Sequence, residues 1–321
     1  MNCAPSLSWC LVDLALMSDF PVVLEFPGGE VDAWLAGTAG NIEKALDDAG
    51  AVLLRGLPVA SAREFDDVVA VFDLPVFSYE ESLSNAVRIN HTSRVFTANE
   101  APPDVEIHLH HEMAQTPISP SRLFFCCISP AEAGGATPLC QSELLLAAFS
   151  EQHPAWTRAL REKGLRYVTR MPSENDESAG QGRSWKSTLD VASRGAAEAR
   201  LTELGYDFMW QPDDSLRTVS PVLPGVIKVG EDRESFFHQL LAAYLGWPGV
   251  REDPASALSF GDGSTIPVEM LEALAALSGE FTHDLQWQAG DVAIVNNRLI
   301  MHGRRAYAGS RKREVLVSMA P

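Results

Sequence analysis

The sequence predicts a mainly β domain with flanking helices, its core a double-sheet jelly roll of the double-stranded β-helix type. Three observations carry that expectation. Short apolar runs rich in β-formers recur along the chain, glycine and proline turns separate them, and helical segments fall between them without the regular strand-helix alternation of a parallel sheet. No phosphate-binding loop, dinucleotide fingerprint or internal repeat competes with it.

The elements follow in order. Residues 1–17 lack a basic n-region and carry Asp13, so they make a poor signal peptide, and Met17 offers an alternative start. They are expected to be an extension, disordered or over-annotated, ahead of a single domain over 18–321. Residues 42–49 have helical apolar spacing, and Gly50 stops them before the buried strand 51–56. A short helix is expected over 62–72. Residues 86–96 are rich in β-formers, and Ala101-Pro102-Pro103-Asp104 breaks the chain before an extended stretch from Ile107 to Met113.

Residues 123–128 read as a strongly apolar strand and 134–138 as a turn, with helices over 142–149 and 155–163. From 172 to about 195 the composition turns polar with little periodicity, which predicts a mobile insertion with the place of a lid. Strands follow at 206–210 and 217–222, a helix at 234–245, a turn at 260–263 and an amphipathic helix at 267–278. Strands at 281–287, 290–297 and 314–319 close the chain.

Composition narrows the function. With 46% hydrophobic and 21% charged residues the chain reads as an ordinary globular protein. A formal net charge of -18 and no basic stripe argue against a nucleic-acid partner. No apolar run reaches the roughly 18 residues that span a bilayer. The five cysteines (Cys3, Cys10, Cys126, Cys127 and Cys140) include no CxxC pair, which predicts reduced thiols in a cytoplasmic protein rather than a disulfide frame or a zinc site.

The chemistry centres on His108-Leu109-His110-His111-Glu112. A histidine and a carboxylate two residues apart can share one face of a strand, and the distant His302 can complete a facial triad of two histidines and one carboxylate. Such a donor set suits Fe(II) and leaves positions open for a chelating co-substrate and O2. The triplet alone is a weak signal, because eight histidines in 321 residues produce such spacings by chance.

Three segments strengthen it: HLHHEMAQTP, SRLFFCCISPAEAGGATPL and GDVAIVNNRLIMHGRRAYAGSRKREVLVSM. With these in this order, the sequence resembles the taurine dioxygenase and clavaminate synthase-like group of Fe(II)/2-oxoglutarate-dependent oxygenases, from about Gly50 to the C-terminus. The resemblance implies that His110, Glu112 and His302 bind iron, and that Arg313, with Arg311 as the alternative, holds the distal carboxylate of 2-oxoglutarate with help from Thr137. It makes Asn297 a structural support of the ligand strand. It implies oxidative decarboxylation of 2-oxoglutarate to succinate and CO2, coupled to oxidation of an unactivated C–H bond. Glu112 stands where halogenating relatives have a small residue, so hydroxylation is expected over chlorination, with desaturation or ring closure as variants.

Within the group the sequence is similar to syringomycin-type amino-acid hydroxylases, on VFTANEAPPDVEI, SFFHQLLAAY and FGDG. That likeness implies a small-molecule substrate, an amino acid either free or tethered to a carrier protein, in natural-product (antibiotic) biosynthesis. Asn90, His108, Gln115, Arg122 and His238 are the candidate substrate contacts. A catabolic sulfonate- or aryl-ether-type dioxygenase is the alternative, and a non-catalytic binding protein the remotest reading, because no ligand is missing.

Overall fold

The structure is a computed structural model that describes residues 20–78, 82–84, 86, 88–98, 101–175 and 182–321. The expected extension over 1–17 and part of the expected insertion, 176–181, lie outside the described residues.

Ten strands frame the molecule. In chain order they are β1 (Val22–Glu25), β2 (Ala51–Arg55), β3 (Phe96–Thr97), β4 (Ile107–His110) and β5 (Arg122–Ser129). Then come β6 (Thr137–Gln141), β7 (Thr282–Leu285), β8 (Val292–Asn296), β9 (Ile300–Arg304) and β10 (Glu314–Ala320). The larger sheet has the order β1-β2-β8-β5-β10-β3 and the smaller β7-β6-β9-β4. All neighbours pair antiparallel except β1 and β2.

Alternation along the strands explains why both faces of the larger sheet are apolar. Leu123, Phe125 and Cys127 of β5 join Ala293 and Val295 of β8 and Val315 and Val317 of β10 on the inner face. There they meet Leu139, Leu285 and Ile300 of the smaller sheet. Phe124 and Cys126 point the other way, against Leu35, Ile42 and Leu46 of the helix Val31–Asp48 and Phe65 and Val68 of the helix Ala62–Ala70. A sheet covered on both faces needs a nearly continuous apolar run, which Leu123 to Ile128 supplies. Burying each Phe or Leu of this set is worth roughly 1.5–3 kcal/mol. Cys140 and Met301 turn outward from the smaller sheet onto helices Ser142–Gln152, Leu240–Gly246 and Val268–Ser278. No helix among the described residues is long and apolar enough to cross a membrane.

Several expectations need correction. The first helix starts at Val31, not at 42, because Leu35, Ile42 and Leu46 share one buried face although Gly37 and Gly40 dilute the pattern. The helix expected over 234–245 is instead a strand, Glu234–Phe236, hairpinned to Val226–Lys228, followed by the helix Leu240–Gly246. Pairing with Val226–Lys228 overrides the helical spacing of Phe236, Phe237, Leu240 and Leu241. The span 172–195 is not all irregular: Ser184 caps the helix Trp185–Leu189 through the Ser187 amide, and Trp185 and Leu189 are buried with Leu83, Met171 and Leu201. Strand Leu165–Met171, central to a further sheet with Leu258–Phe260, Leu216–Val219 and Asp207–Trp210, carried no strong alternation.

Candidate metal centre and co-substrate pocket

β4 ends at His110, and β9 runs antiparallel beside it with His302 in register opposite His110. Glu112 does not continue the strand, as the sequence suggested. The chain turns after His110, and the buried Met113 takes φ 57, a left-handed conformation that costs a non-glycine residue about 1–3 kcal/mol. The turn brings the carboxylate back to the histidines. Ligand atoms of His110, Glu112 and His302 all lie within 4.8 Å of one another. Glu112 Oε2 is 3.8 Å from His110 Nε2 and 3.5 Å from His302 Nε2.

His110 and the Glu112 backbone are held by hydrogen bonds from behind, and His302 by packing. His110 Nδ1 lies 2.8 Å from the His108 carbonyl oxygen, the contact of a ring N–H donor, which leaves Nε2 as a lone-pair donor facing inward. The fully buried Asn297 clasps the Glu112 backbone: its Oδ1 accepts from the Glu112 amide at 2.7 Å, and its Nδ2 donates to the Glu112 carbonyl at 3.0 Å and the Pro120 carbonyl at 2.7 Å. Phe125 packs its ring 5.2 Å from that of His302.

The electrostatics suit a cation. Burial, reinforced by His110, pushes the His302 ring down to about 4, so it is neutral near pH 7 and its nitrogen lone pair is available. Burial would raise Glu112, but the Arg88 guanidinium, with the His110 and His302 rings close by, outweighs it and holds the carboxyl well below the usual range. Two imidazole nitrogens and one carboxylate form the facial donor set of a non-haem iron site, so these residues fit that metal.

The co-substrate candidates separate. Arg313, the residue before β10, is buried; its Nε donates to the Gly135 carbonyl at 2.9 Å and its Nη2 to Thr137 Oγ1 at 3.4 Å. No carboxylate pairs with it among the described residues. Burial and the nearby Arg304 depress it to about 10. Thr137 Oγ1 also accepts from Trp287 Nε1 at 2.9 Å, which leaves its own hydroxyl proton to donate. Gly135 has φ 71, and a Cβ there would lie 3.0 Å from the Arg313 side chain. Arg311 is exposed, with its backbone amide bonded to Glu132.

The substrate candidates do not converge on one cleft. Asn90 is exposed and bridges Phe96 through its backbone. The His108 ring is half-buried near Gly246, and burial lowers its pKa. Gln115 faces a cavity of about 20 Å³ with Tyr167, Thr169 and Tyr206, its buried Oε1 without a hydrogen-bond partner among the described residues. Arg122 is committed to Glu43 through a two-pronged pair at 2.6 and 2.9 Å. His238 is fully buried, its ring 5.0 Å from Phe236 and 6.2 Å from His111. His111 itself turns away from the ligands, its Nδ1 accepting from the His238 amide and its Nε2 3.0 Å from Ser142 Oγ.

Arg88 escaped the sequence reading. Its Nη2 donates to Glu112 Oε1 at 3.0 Å. A single arginine in a polar stretch has no spacing that marks it.

Over residues 15–319 the chain matches the family model described as taurine catabolism dioxygenase TauD, TfdA family. It is 38% identical over 280 residues to a clavaminate synthase-like protein of Arabidopsis thaliana, covering 87% of this chain and 83% of that protein. It is 26% identical over 283 residues to the dapdiamide synthesis protein DdaC of Enterobacter agglomerans, covering 84% and 82%. An asparagine oxygenase solved with Fe(II), 3-hydroxyasparagine and succinate superposes with a TM-score of 0.55 at 14% identity, covering 90% of this chain and 79% of that one, and so shares the fold.

Proposed function

This chain belongs to the TauD, TfdA family and is a non-haem Fe(II)- and 2-oxoglutarate-dependent dioxygenase, and from that premise we propose the residues and the substrate class of its reaction. His110, Glu112 and His302 hold the iron. Arg313 and Thr137 hold the distal carboxylate of 2-oxoglutarate. The substrate is an amino acid, free or tethered to a carrier protein, hydroxylated at an unactivated C–H bond in a natural-product pathway.

Two observations carry the site: three converging ligand atoms within 4.8 Å, and a buried arginine with no carboxylate partner among the described residues, bonded to Thr137 on the strand that pairs with the strand of His302. An uncompensated buried guanidinium is costly unless an anion meets it, and its planar fork matches a carboxylate. The substrate class is supported by the relatives, one named for dapdiamide synthesis and one solved with hydroxyasparagine.

Bound iron would supply O2 activation coupled to decarboxylation of 2-oxoglutarate. The chain's own groups do the rest. Arg313 sets the direction of the co-substrate, the Thr137 hydroxyl donates to the same carboxylate, and His302 stays neutral beside an ionised Glu112. Phe125, its ring 5.2 Å from that of His302, gives the site an apolar neighbour.

An amino-acid panel incubated with protein, Fe(II), 2-oxoglutarate and O2 tests this reading, with succinate and product mass as readouts. One amino acid should stimulate succinate and gain one oxygen atom. Loss of two hydrogens would indicate desaturation, and response only to sulfonates or aryl ethers would replace the substrate class with the catabolic one. Carrier-loaded amino acids extend the panel if free ones fail. His302→Ala should lose metal and turnover while keeping its thermal transition; persistent activity would remove His302 from the ligand set.

A further inference from the structure

We propose that Arg88 is a positioning residue that engages one oxygen of Glu112, so that the carboxylate offers a metal ion only the other. The inference rests on reading His110, Glu112 and His302 as the metal centre.

The two oxygens of Glu112 have divided surroundings. Oε1 accepts from Arg88 Nη2 at 3.0 Å, whereas Oε2 faces the Nε2 atoms of His110 and His302 at 3.8 and 3.5 Å. Both side chains of the Arg88–Glu112 pair are 7% exposed, so water hardly competes for either. A carboxylate with both oxygens free can grip an ion through two positions. In a site with three open positions, that second contact would consume one needed by a chelating oxo acid or by O2.

Arg88 is itself placed from two sides. Its guanidinium lies over the Phe96 ring, 5.3 Å from the centroid, and Phe96 belongs to β3, which pairs with β10. Nearby, Ser82 and Ser84 are clamped by Arg183, which donates to their carbonyls at 2.8 and 3.3 Å. The same guanidinium donates to the Ser187 carbonyl at 2.7 Å and to its hydroxyl at 2.9 Å. Leu83 packs with Trp185 and Leu189. Through Arg183 the helix Trp185–Leu189 thus holds Ser82 and Ser84, which precede Arg88 in the chain.

The test uses the full-length protein, Co(II) as the metal probe, and the variants Arg88→Met, Arg88→Lys and Arg183→Met. Co(II) visible absorption reports coordination number, and titration gives separate dissociation constants for Co(II) and 2-oxoglutarate. Arg88→Met should bind Co(II) at least as tightly as the unaltered protein. It should bind 2-oxoglutarate about 10–100-fold more weakly, a loss of the size that removing an outer-shell partner causes in the activity of a metal site. Its Co(II) spectrum before 2-oxoglutarate is added should differ from that of the parent. Arg88→Lys should recover part of the loss, and Arg183→Met should shift both readouts in the same direction by less.

Equal weakening of Co(II) and 2-oxoglutarate would mark Arg88 as merely structural, and unchanged constants with an unchanged spectrum would make it dispensable; either overturns the proposal. If Arg88→Met shows no cooperative melt, the same split in Arg88→Lys decides. Absence of a 2-oxoglutarate-dependent spectral change in the unaltered protein would overturn the underlying metal-centre reading instead.

Discussion

Replacing Arg313 by methionine should separate stability from co-substrate binding. Burial, with Arg304 as a smaller contributor, lowers the Arg313 pKa from the ordinary arginine value to about 10. At about 1.4 kcal/mol per tenfold in acidity, that is a cost of about 3 kcal/mol carried by the ligand-free protein. Against it stands the hydrogen bond to Gly135 O, a charged-group contact worth about 1.5–3 kcal/mol. The two nearly cancel. Arg313→Met should therefore change the melting temperature of the ligand-free protein by no more than roughly 2–4 °C. Binding has no such compensation. Losing two charge-assisted hydrogen bonds to a carboxylate removes about 3–6 kcal/mol, so the dissociation constant for 2-oxoglutarate should rise about 10²–10⁴-fold. Calorimetric titration of 2-oxoglutarate into Co(II)-loaded protein measures it, with the exposed Arg311→Met as the control that should stay near the parent value. A change of less than tenfold in Arg313→Met, or an equal loss in Arg311→Met, would refute the assignment.

The other predictions concern the scaffold. Asn297→Ala strands the Glu112 amide and two carbonyls in the core, at about 1–3 kcal/mol for each group left unsatisfied. Its melting temperature should fall by several degrees and its metal affinity with it; an unchanged melt would show that the clasp carries no energy. Gly303→Ala puts a Cβ 2.3 Å from the Ile107 carbonyl oxygen, which forces β9 from β4. Metal affinity should drop even if the protein stays folded, and retained affinity would mean that the strands can part without separating His302 from His110. His238 is pushed down to about 3 by burial, whereas an unfolded histidine titrates near 6.5. The folded ring thus binds fewer protons, its contribution is fully present above about pH 6.5 and is lost as pH falls toward 3, at up to about 1.4 kcal/mol per pH unit. Urea unfolding of His238→Gln between pH 4 and 7 should show a shallower slope than the parent, and parallel slopes would contradict it.

The strands β2, β5, β8 and β10 were legible because both of their faces are buried, which writes a continuous apolar run. The candidate metal-binding cluster was legible for another reason: His110 and Glu112 lie two residues apart, and His302 sits in a segment with a recognisable resemblance. Elements set by tertiary pairing were not. Glu234–Phe236 has helical spacing but joins a hairpin, and Trp185–Leu189 is too short for periodicity and depends on its Ser184 cap and its contact with Leu83. Arg88 was invisible because an ion pair across 24 residues leaves no local pattern. Arg313 and Arg311 both precede β10, so the sequence alone does not separate their surroundings: Arg313 is buried against Gly135, and Arg311 is exposed.

The most direct test of the iron and 2-oxoglutarate assignment is anaerobic titration of the protein with Fe(II) and then 2-oxoglutarate, followed in the visible for the weak charge-transfer band of the chelate. The account predicts a band that saturates at one equivalent of each, is absent in His302→Ala, and shifts when the amino-acid substrate binds. Failure of the unaltered protein to develop any band with both components present would contradict it.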